Sequence, residues 1–455
     1  MSDWHQAEER VEHAQHLYES GDYSGAAQEL RIAIAINPYN ASWHFNLGLT
    51  LDALGDHAQA IPAFRRALEL EGDDVEILNA LGVDYTRVGQ HPRAIESFEQ
   101  IERIDADYEP GYCNRIITYT EMGDHEQAET MFYLARQIKE SCPLCLYNIA
   151  NSFFDRGQYR RAIACWEQAL QLDEQHQQAH SRIAEAHWAL GDFQAARQHF
   201  LAELRNDPGD VDTLLDLGEL LEEMGELDEA GEKFRRVLEQ VPDEPSAHFA
   251  LGQLALRRGQ TDEAMQQFRL VLQIDRHYPG AHQKIGEVLL RTGRVQQAGV
   301  HLLAELRHVG DEPVGLMELG QLLLEARKIK QANAVLRKLV AMQPTNPQAE
   351  HSLAVSFFLM NDLEEGIRHC RRALKLKPDY SLALYNLAQA HLQKGQVRRA
   401  RRYVAKAISL APSDRQIRTL AGKLGIVGFW TNLKANLLTP ARLIRRGLGN
   451  RRPMR

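Results

Sequence analysis

A glycine returns every 34 residues along this chain. The series runs Gly21, Gly55, Gly89, Gly123, Gly157, Gly191, Gly225, Gly259 and Gly293, passes through Arg327 and Asn361, and resumes at Gly395. Five residues after each of these positions stands a small residue: alanine at Ala26, Ala60 and onward to Ala400, and Gly366 in the eleventh place. A proline often follows the glycine position by seventeen residues, as at Pro38, Pro208, Pro242, Pro344, Pro378 and Pro412. A fixed period of this length is the mark of an array in which one small unit is stacked many times.

The unit Ala41–Asp74 shows what is repeated. Leu47, Gly48 and Leu51 share one face of a first helix. Gly55-Asp56 ends that helix, because glycine enters the left-handed conformation that a helix C-terminus often needs. Ala60, Phe64 and Ala67 mark the inner face of a second helix. The alanines allow close approach and the phenylalanine fills the groove. One such pair cannot bury its apolar face alone, so it must stack on a neighbour.

A 34-residue period with small residues at its eighth and twentieth positions, an aromatic at the twenty-fourth and a proline near its end resembles the tetratricopeptide repeat. Twelve units without a slip of frame run from Ala7 to Asp414. The resemblance implies an all-α fold, an α-α superhelical solenoid of about twelve helix-turn-helix repeats spanning 7–414. A capping helix is expected over 415–425, and a basic, amphipathic or flexible tail over 426–455. Three units depart from the pattern: Arg115 and Ile116 in the fourth, Arg327 in the tenth and Gly366 in the eleventh. Looser packing is expected there. Units six and nine, and units seven and ten, also match each other at an offset of 102 residues, as Ala202–Arg205 matches Ala304–Arg307. A past duplication of a three-repeat block accounts for this.

Little chain remains for chemistry. Outside the repeats lie 6 residues in front and 41 behind, too few for a catalytic domain of usual size. An enzyme would have to place its site on the solenoid. Cys142-Pro143-Leu144-Cys145 is the lone Cys-x-x-Cys; at a helix N-terminus a thiolate can gain from the helix dipole. Cys113 and His176 are the nearest partners by repeat position, but their spacing follows no zinc pattern. His199/Glu203 and His301/Glu305 stand four apart on second helices, a spacing that suits an ion pair or a solvent-facing pair. There is no His-Glu-x-x-His, no phosphate-binding glycine loop and no Gly-x-Ser-x-Gly. The expectation is a non-enzymatic protein with no catalytic residue, no cofactor and no metal.

Binding surfaces are more legible. In the family that the repeats resemble, the first helix of each unit lines a groove. Its sixth position here holds Asn46, Asn114, Asn148 and Asn386, and asparagine can donate to and accept from a peptide backbone together. Such a ladder is similar to that of the O-linked N-acetylglucosamine transferase superhelix, without a transferase domain behind it. The fifth position holds Phe45, Tyr147, Phe249 and Tyr385, either anchors for a partner or packing for neighbouring helices. It lacks the basic residues with which related co-chaperones clamp a C-terminal carboxylate. Unit seven carries ten acidic residues between Asp210 and Glu232, with no Lys or Arg among them. Asp212, Asp216, Glu219, Glu222 and Glu223 make it either a solvated face or a docking face for a basic segment.

The C-terminal 41 residues supply such a segment. They hold ten Lys/Arg and no Asp/Glu, in a chain of net charge −9, which leaves −19 on residues 1–414. Trp430, Arg442, Arg445 and Arg446 would contact an anionic membrane surface, a partner or the chain's own acidic unit. The overall negative charge makes nucleic acid an unlikely partner. The opening residues lack the apolar core of a signal peptide, and no run approaches 18 apolar residues. The expectation is therefore a cytoplasmic scaffold that binds a protein or peptide in its groove. The alternative is a membrane-peripheral factor, recruited by its tail to the inner face of a membrane, supporting envelope or polysaccharide machinery.

Overall fold

The computed structural model describes residues 3–173, 176, 178–308, 310 and 312–426. Among them are 25 helices and no strand. The chain divides into two compact units, Met1–Lys233 and Phe234–Arg455.

The first unit contains α1 (Asp3–Glu19), α2 (Tyr23–Ile36), α3 (Ala41–Ala53), α4 (His57–Glu71), α5 (Val75–Arg87), α6 (His91–Ile104), α7 (Glu109–Glu121), α8 (His125–Ile138), α9 (Pro143–Asp155), α10 (Tyr159–Leu172), α11 (Ala179–Ala189), α12 (Phe193–Asn206) and α13 (Val211–Glu223). The boundary falls within α14 (Leu227–Gln240). The second unit continues with α15 (Pro245–Arg257), α16 (Thr261–Ile274), α17 (Ala281–Arg291), α18 (Val295–Glu305), α19 (Pro313–Glu325), α20 (Ile329–Met342), α21 (Pro347–Leu359), α22 (Leu363–Leu376), α23 (Ser381–Gln393), α24 (Val397–Leu410) and α25 (Arg415–Lys423).

From α1 to α12 and from α15 to α24, each odd-numbered helix packs on the even one after it, and each even one packs on the helix that follows it. In four repeats a Gly-Asp pair makes the hairpin. In the second repeat Gly55 takes φ +77°, its N–H donates to the Asp52 carbonyl at 2.8 Å and that of Asp56 to the Leu51 carbonyl at 2.9 Å. This double closure satisfies carbonyls that the helix end would orphan. The Asp56 carboxylate then accepts from the Gln59 N–H and starts α4. Asp22, Asp124, Asp192 and Asp362 cap their second helices in the same way.

Between the paired helices lies a narrow seam. Ala60, Ala94, Ala162, Ala264 and Ala332 are fully buried at the twentieth position, and Phe64, Phe98, Trp166 and Phe268 fill the twenty-fourth. The eighth position faces that large side chain. A Cβ added at Gly48 would stand 2.5 Å from the Phe64 ring, and one at Gly252 2.7 Å from the Phe268 ring. Glycine is therefore required there by close packing within a helix.

The three departures are not loose. Arg115 is buried between the rings of Tyr112 and Tyr119, 5.9 and 6.0 Å from their centroids, and its Nη1 donates to Glu102 at 2.7 Å. Ile116 beside it is fully buried. Arg327 takes φ +57° and makes the same two closing bonds as a glycine: its N–H donates to Leu324 at 3.1 Å and that of Lys328 to Leu323 at 2.8 Å. Gly366 leaves room for the Phe358 ring, which would overlap any Cβ at that point. At Arg115 and Gly366 neighbouring side chains fill the altered space, and at Arg327 the closing hydrogen bonds are kept.

Candidate partner-binding clefts

The asparagines of the sixth position diverge in what they touch. Asn46 is exposed and walls a cleft of about 340 Å3 lined by Val11, Gln15 and Tyr18 of α1 and Leu49 and Thr50 of α3. Asn148 walls one of about 210 Å3 with Thr120 of α7, Asn151 and Phe154 of α9 and Arg182 of α11. Its own Nδ2 donates to the Cys113 carbonyl at 3.4 Å. Asn386 and Tyr385 wall an open cleft of about 690 Å3 between α23 and α25, with Gln389, Arg415, Thr419 and Lys423. Asn386 donates its Nδ2 to His351 Nε2 at 2.9 Å. Burial pushes His351 down to about 4, so its imidazole is neutral and free to accept. Asn114 donates to Asn79 Oδ1 at 2.8 Å.

The fifth-position aromatics mostly serve packing. Phe45 lies 5.7 Å from Phe64, and Phe249 lies 5.5 Å from Phe268 and 5.2 Å from Tyr278. Tyr147 stacks on His176 at 4.5 Å. Tyr385 lines the cleft between α23 and α25.

The acidic face of unit seven is partly neutralised from the repeat before it. Arg197 of α12 holds Glu226 at 3.0 Å and Glu229 at 2.8 Å, and Trp188 Nε1 donates to Glu223 at 2.7 Å. Asp210 caps α13 through the Thr213 N–H. Asp212, Asp216 and Glu219 lie along α13 between these pairs. Burial, with Glu185, Glu219, Asp212 and Asp210 close by, pushes Asp216 up to about 7. Burial and then Glu222 also push Glu219 up.

The histidine–glutamate pairs are not ion pairs and do not face solvent. Glu203 is buried and accepts from the backbone N–H groups of Gln178 and Ser181, both at 3.3 Å. Glu305 does the same for Gly280 at 2.8 Å and Gln283 at 3.0 Å. Each glutamate thus closes the start of its repeat's first helix, where Gln178 and Gly280 have positive φ. The histidines turn to one another: His180 Nδ1 lies 3.2 Å from His199 Nδ1, and His282 Nδ1 3.0 Å from His301 Nδ1. Burial pushes His199 down to about 4. The repeated Ala-Glu-Leu-Arg was the signal for this cap, since a carboxylate at a seam position must find buried donors.

Spacing brought Cys113 together with Cys142 and Cys145 but missed Glu109, which joins them in place of His176, and it missed a second cluster altogether. Glu109, Cys113, Cys142 and Cys145 present ligand atoms within 4.8 Å of one another, as do Asp52, His57 and Asp84. In the second, His57 Nδ1 lies 3.0 Å from both carboxylates, and Arg87 also pairs with Asp52, so its charge is compensated internally. In the first, Cys113 and Cys145 form a disulfide, and Cys142 Sγ lies 3.7 Å from Cys113 Sγ. Burial, before the effect of Glu109, pushes the Cys142 thiol up; no lowering by the helix N-terminus prevails.

Trp430, Arg442, Arg445 and Arg446 lie outside the described residues. Among the described residues no helix is long and apolar enough to cross a membrane.

Comparison with known proteins agrees with this architecture. The chain matches the tetratricopeptide repeat family over residues 11–74, 48–109, 147–211, 215–282 and 317–381, and a second tetratricopeptide repeat group over 357–424. These matches span more than half of it, and the chain belongs to the tetratricopeptide repeat family. It is an all-α repeat solenoid of the class that acts as a protein-interaction scaffold. No curated protein matches it. Similar solved structures include the APC/C hetero-tetramer Cut9–Hcn1, at 14% identity over 90% of this chain and 95% of that one, TM-score 0.44. Yeast Tom70 is 13% identical over 96% and 99%, TM-score 0.39. A tetratricopeptide repeat protein from Parabacteroides merdae is 14% identical over 62% and 98%, TM-score 0.40.

Proposed function

We propose that this chain is a non-catalytic scaffold whose partner is an extended protein segment seated on the first-helix side of the repeats. One observation carries the reading. Three asparagines from the same repeat position, Asn46, Asn148 and Asn386, each wall a cleft between first helices or between a first helix and the last one. A wall that combines a carboxamide with apolar and aromatic side chains suits a peptide, whose backbone needs donors and acceptors and whose side chains need burial. The acidic residues of α13 bias the choice toward a basic segment and speed its encounter. The cleft at α25 differs in bringing Arg415 and Lys423, and favours an acidic or carboxylate-bearing stretch.

A photo-reactive residue at position 46 or 386 tests this. It should cross-link to partner peptides selected by display on the full chain. A probe at exposed Tyr133, on second helix α8, should not. Partners that cross-link at Tyr133 and not at 46 or 386 would place the interface on the other side.

A further inference from the structure

We propose that the reduced chain binds one zinc ion through Cys113, Cys142, Cys145 and Glu109. Glu109 and Cys113 stand four apart on α7, on one face of the helix. Cys142 is the N-cap of α9 and Cys145 lies in its first turn, so the Cys-x-x-Cys wraps a helix start. All three sulfurs are buried. A single disulfide needs neither a third sulfur nor a carboxylate beside it, yet both are present. Glu109 Oε1 stands 3.4 Å from Cys113 Sγ and 3.1 Å from Cys145 Sγ.

Outside the disulfide bond itself, the Cys113–Cys142 and Cys113–Glu109 separations match the edges of a metal tetrahedron. Zinc–sulfur bonds of about 2.3 Å and a zinc–oxygen bond of about 2.0 Å put neighbouring sulfurs about 3.8 Å apart and sulfur and oxygen about 3.5 Å apart. The Cys113–Cys142 separation is 3.7 Å. The Cys145 N–H donates to Cys142 Sγ at 3.3 Å, a contact that disperses thiolate charge. Three thiolates and one carboxylate in a buried, closed set select a soft, tetrahedral ion over calcium or magnesium.

The disulfide and the zinc site use the same two sulfurs, so they are alternative states of one cluster. A phosphine reductant converts one to the other. It supplies two electrons and becomes the phosphine oxide with oxygen from water. The two sulfurs take the water's protons, and zinc displaces both of these and the Cys142 thiol proton on binding, releasing them to solvent. The ion would tie α7 to α9, joining the fourth and fifth repeats where the loop between α8 and α9 carries the ligand Cys142.

The test is a cobalt(II) titration of the full, phosphine-reduced chain, followed by zinc. Tetrahedral thiolate-to-cobalt absorption should saturate at one equivalent and be displaced by zinc. Cys113→Ser and Cys142→Ser should each abolish or blue-shift it. Glu109→Gln should keep sulfur ligation and weaken affinity by about 10-fold or more. Cys165→Ser, outside the cluster, should change nothing. Should a variant not fold, native mass spectrometry of the wild type still counts bound zinc, and its thermal midpoint should rise on adding zinc after reduction. Absence of saturable absorption overturns the proposal. So does an unchanged spectrum in Cys142→Ser, or a Cys113–Cys145 bond that persists in folded, phosphine-treated protein.

Discussion

At the scale of single residues, the 34-residue frame dictates backbone conformation before it dictates chemistry. Arg327 and Asn361 occupy a left-handed turn that glycine fills in most repeats, at φ +57° and +63°. A Cβ in that region costs about 1–2 kcal/mol, less for asparagine. Arg327→Gly should therefore stabilise the protein by about 1 kcal/mol, and Asn361→Gly by less, in urea unfolding. A destabilised Arg327→Gly would mean that its side-chain packing outweighs the strain. Glycines inside helices split the other way. Gly252→Ala places a Cβ 2.7 Å from the Phe268 ring and should cost about 1–3 kcal/mol. Gly315→Ala meets nothing within 4 Å in α19 and should stabilise by about 0.5–1 kcal/mol. Equal effects at the two sites would deny the seam its role.

Among the elements, α13 is where charge and burial conflict. Asp216 is raised to about 7 from an ordinary carboxylate value, chiefly by burial. A raised folded value means that the folded state holds the proton longer than the unfolded chain does. Its contribution is complete below about pH 4 and is lost as pH climbs toward 7. Asp216→Asn should thus gain about 1–2 kcal/mol over the wild type at pH 8, after allowance for solvent, and little at pH 4. Denaturant melts at the two pH values check this; a larger gain at pH 4 would reverse the sign. The helices themselves were legible in the sequence, because a residue with positive φ, glycine in all but Arg327 and Asn361, ends the first helix of each repeat. The contents of the clefts were less so. Asn46, Asn148 and Asn386 share a register, and so does Asn114, but only three-dimensional neighbours show that the first three wall clefts and that Asn114, Asn148 and Asn386 donate to Asn79, Cys113 and His351. Phe45, Tyr147 and Phe249 read equally well as anchors and as packing until the distances to Phe64, His176 and Phe268 are known. The cysteine cluster escaped because its fourth member is a glutamate at the start of α7, a position that spacing between cysteines and histidines does not search.

For the whole molecule, repetition explains the fold. Nearly all of the chain is spent on one supersecondary unit, and each unit buries its face only against neighbours. What distinguishes the units is what their first helices present, and this is the level at which the scaffold reading stands or falls. The most direct measurement is the affinity of a display-selected peptide for the full chain and for Asn46→Ala, Asn148→Ala and Asn386→Ala variants, by calorimetry, with circular dichroism to confirm the fold. The account predicts that at least one of these substitutions weakens binding by about 10-fold, the loss of roughly one charge-free or charge-assisted hydrogen bond at a desolvated contact, while Asn114→Ala leaves it unchanged. Undiminished affinity in all three variants, with the fold intact, would contradict it.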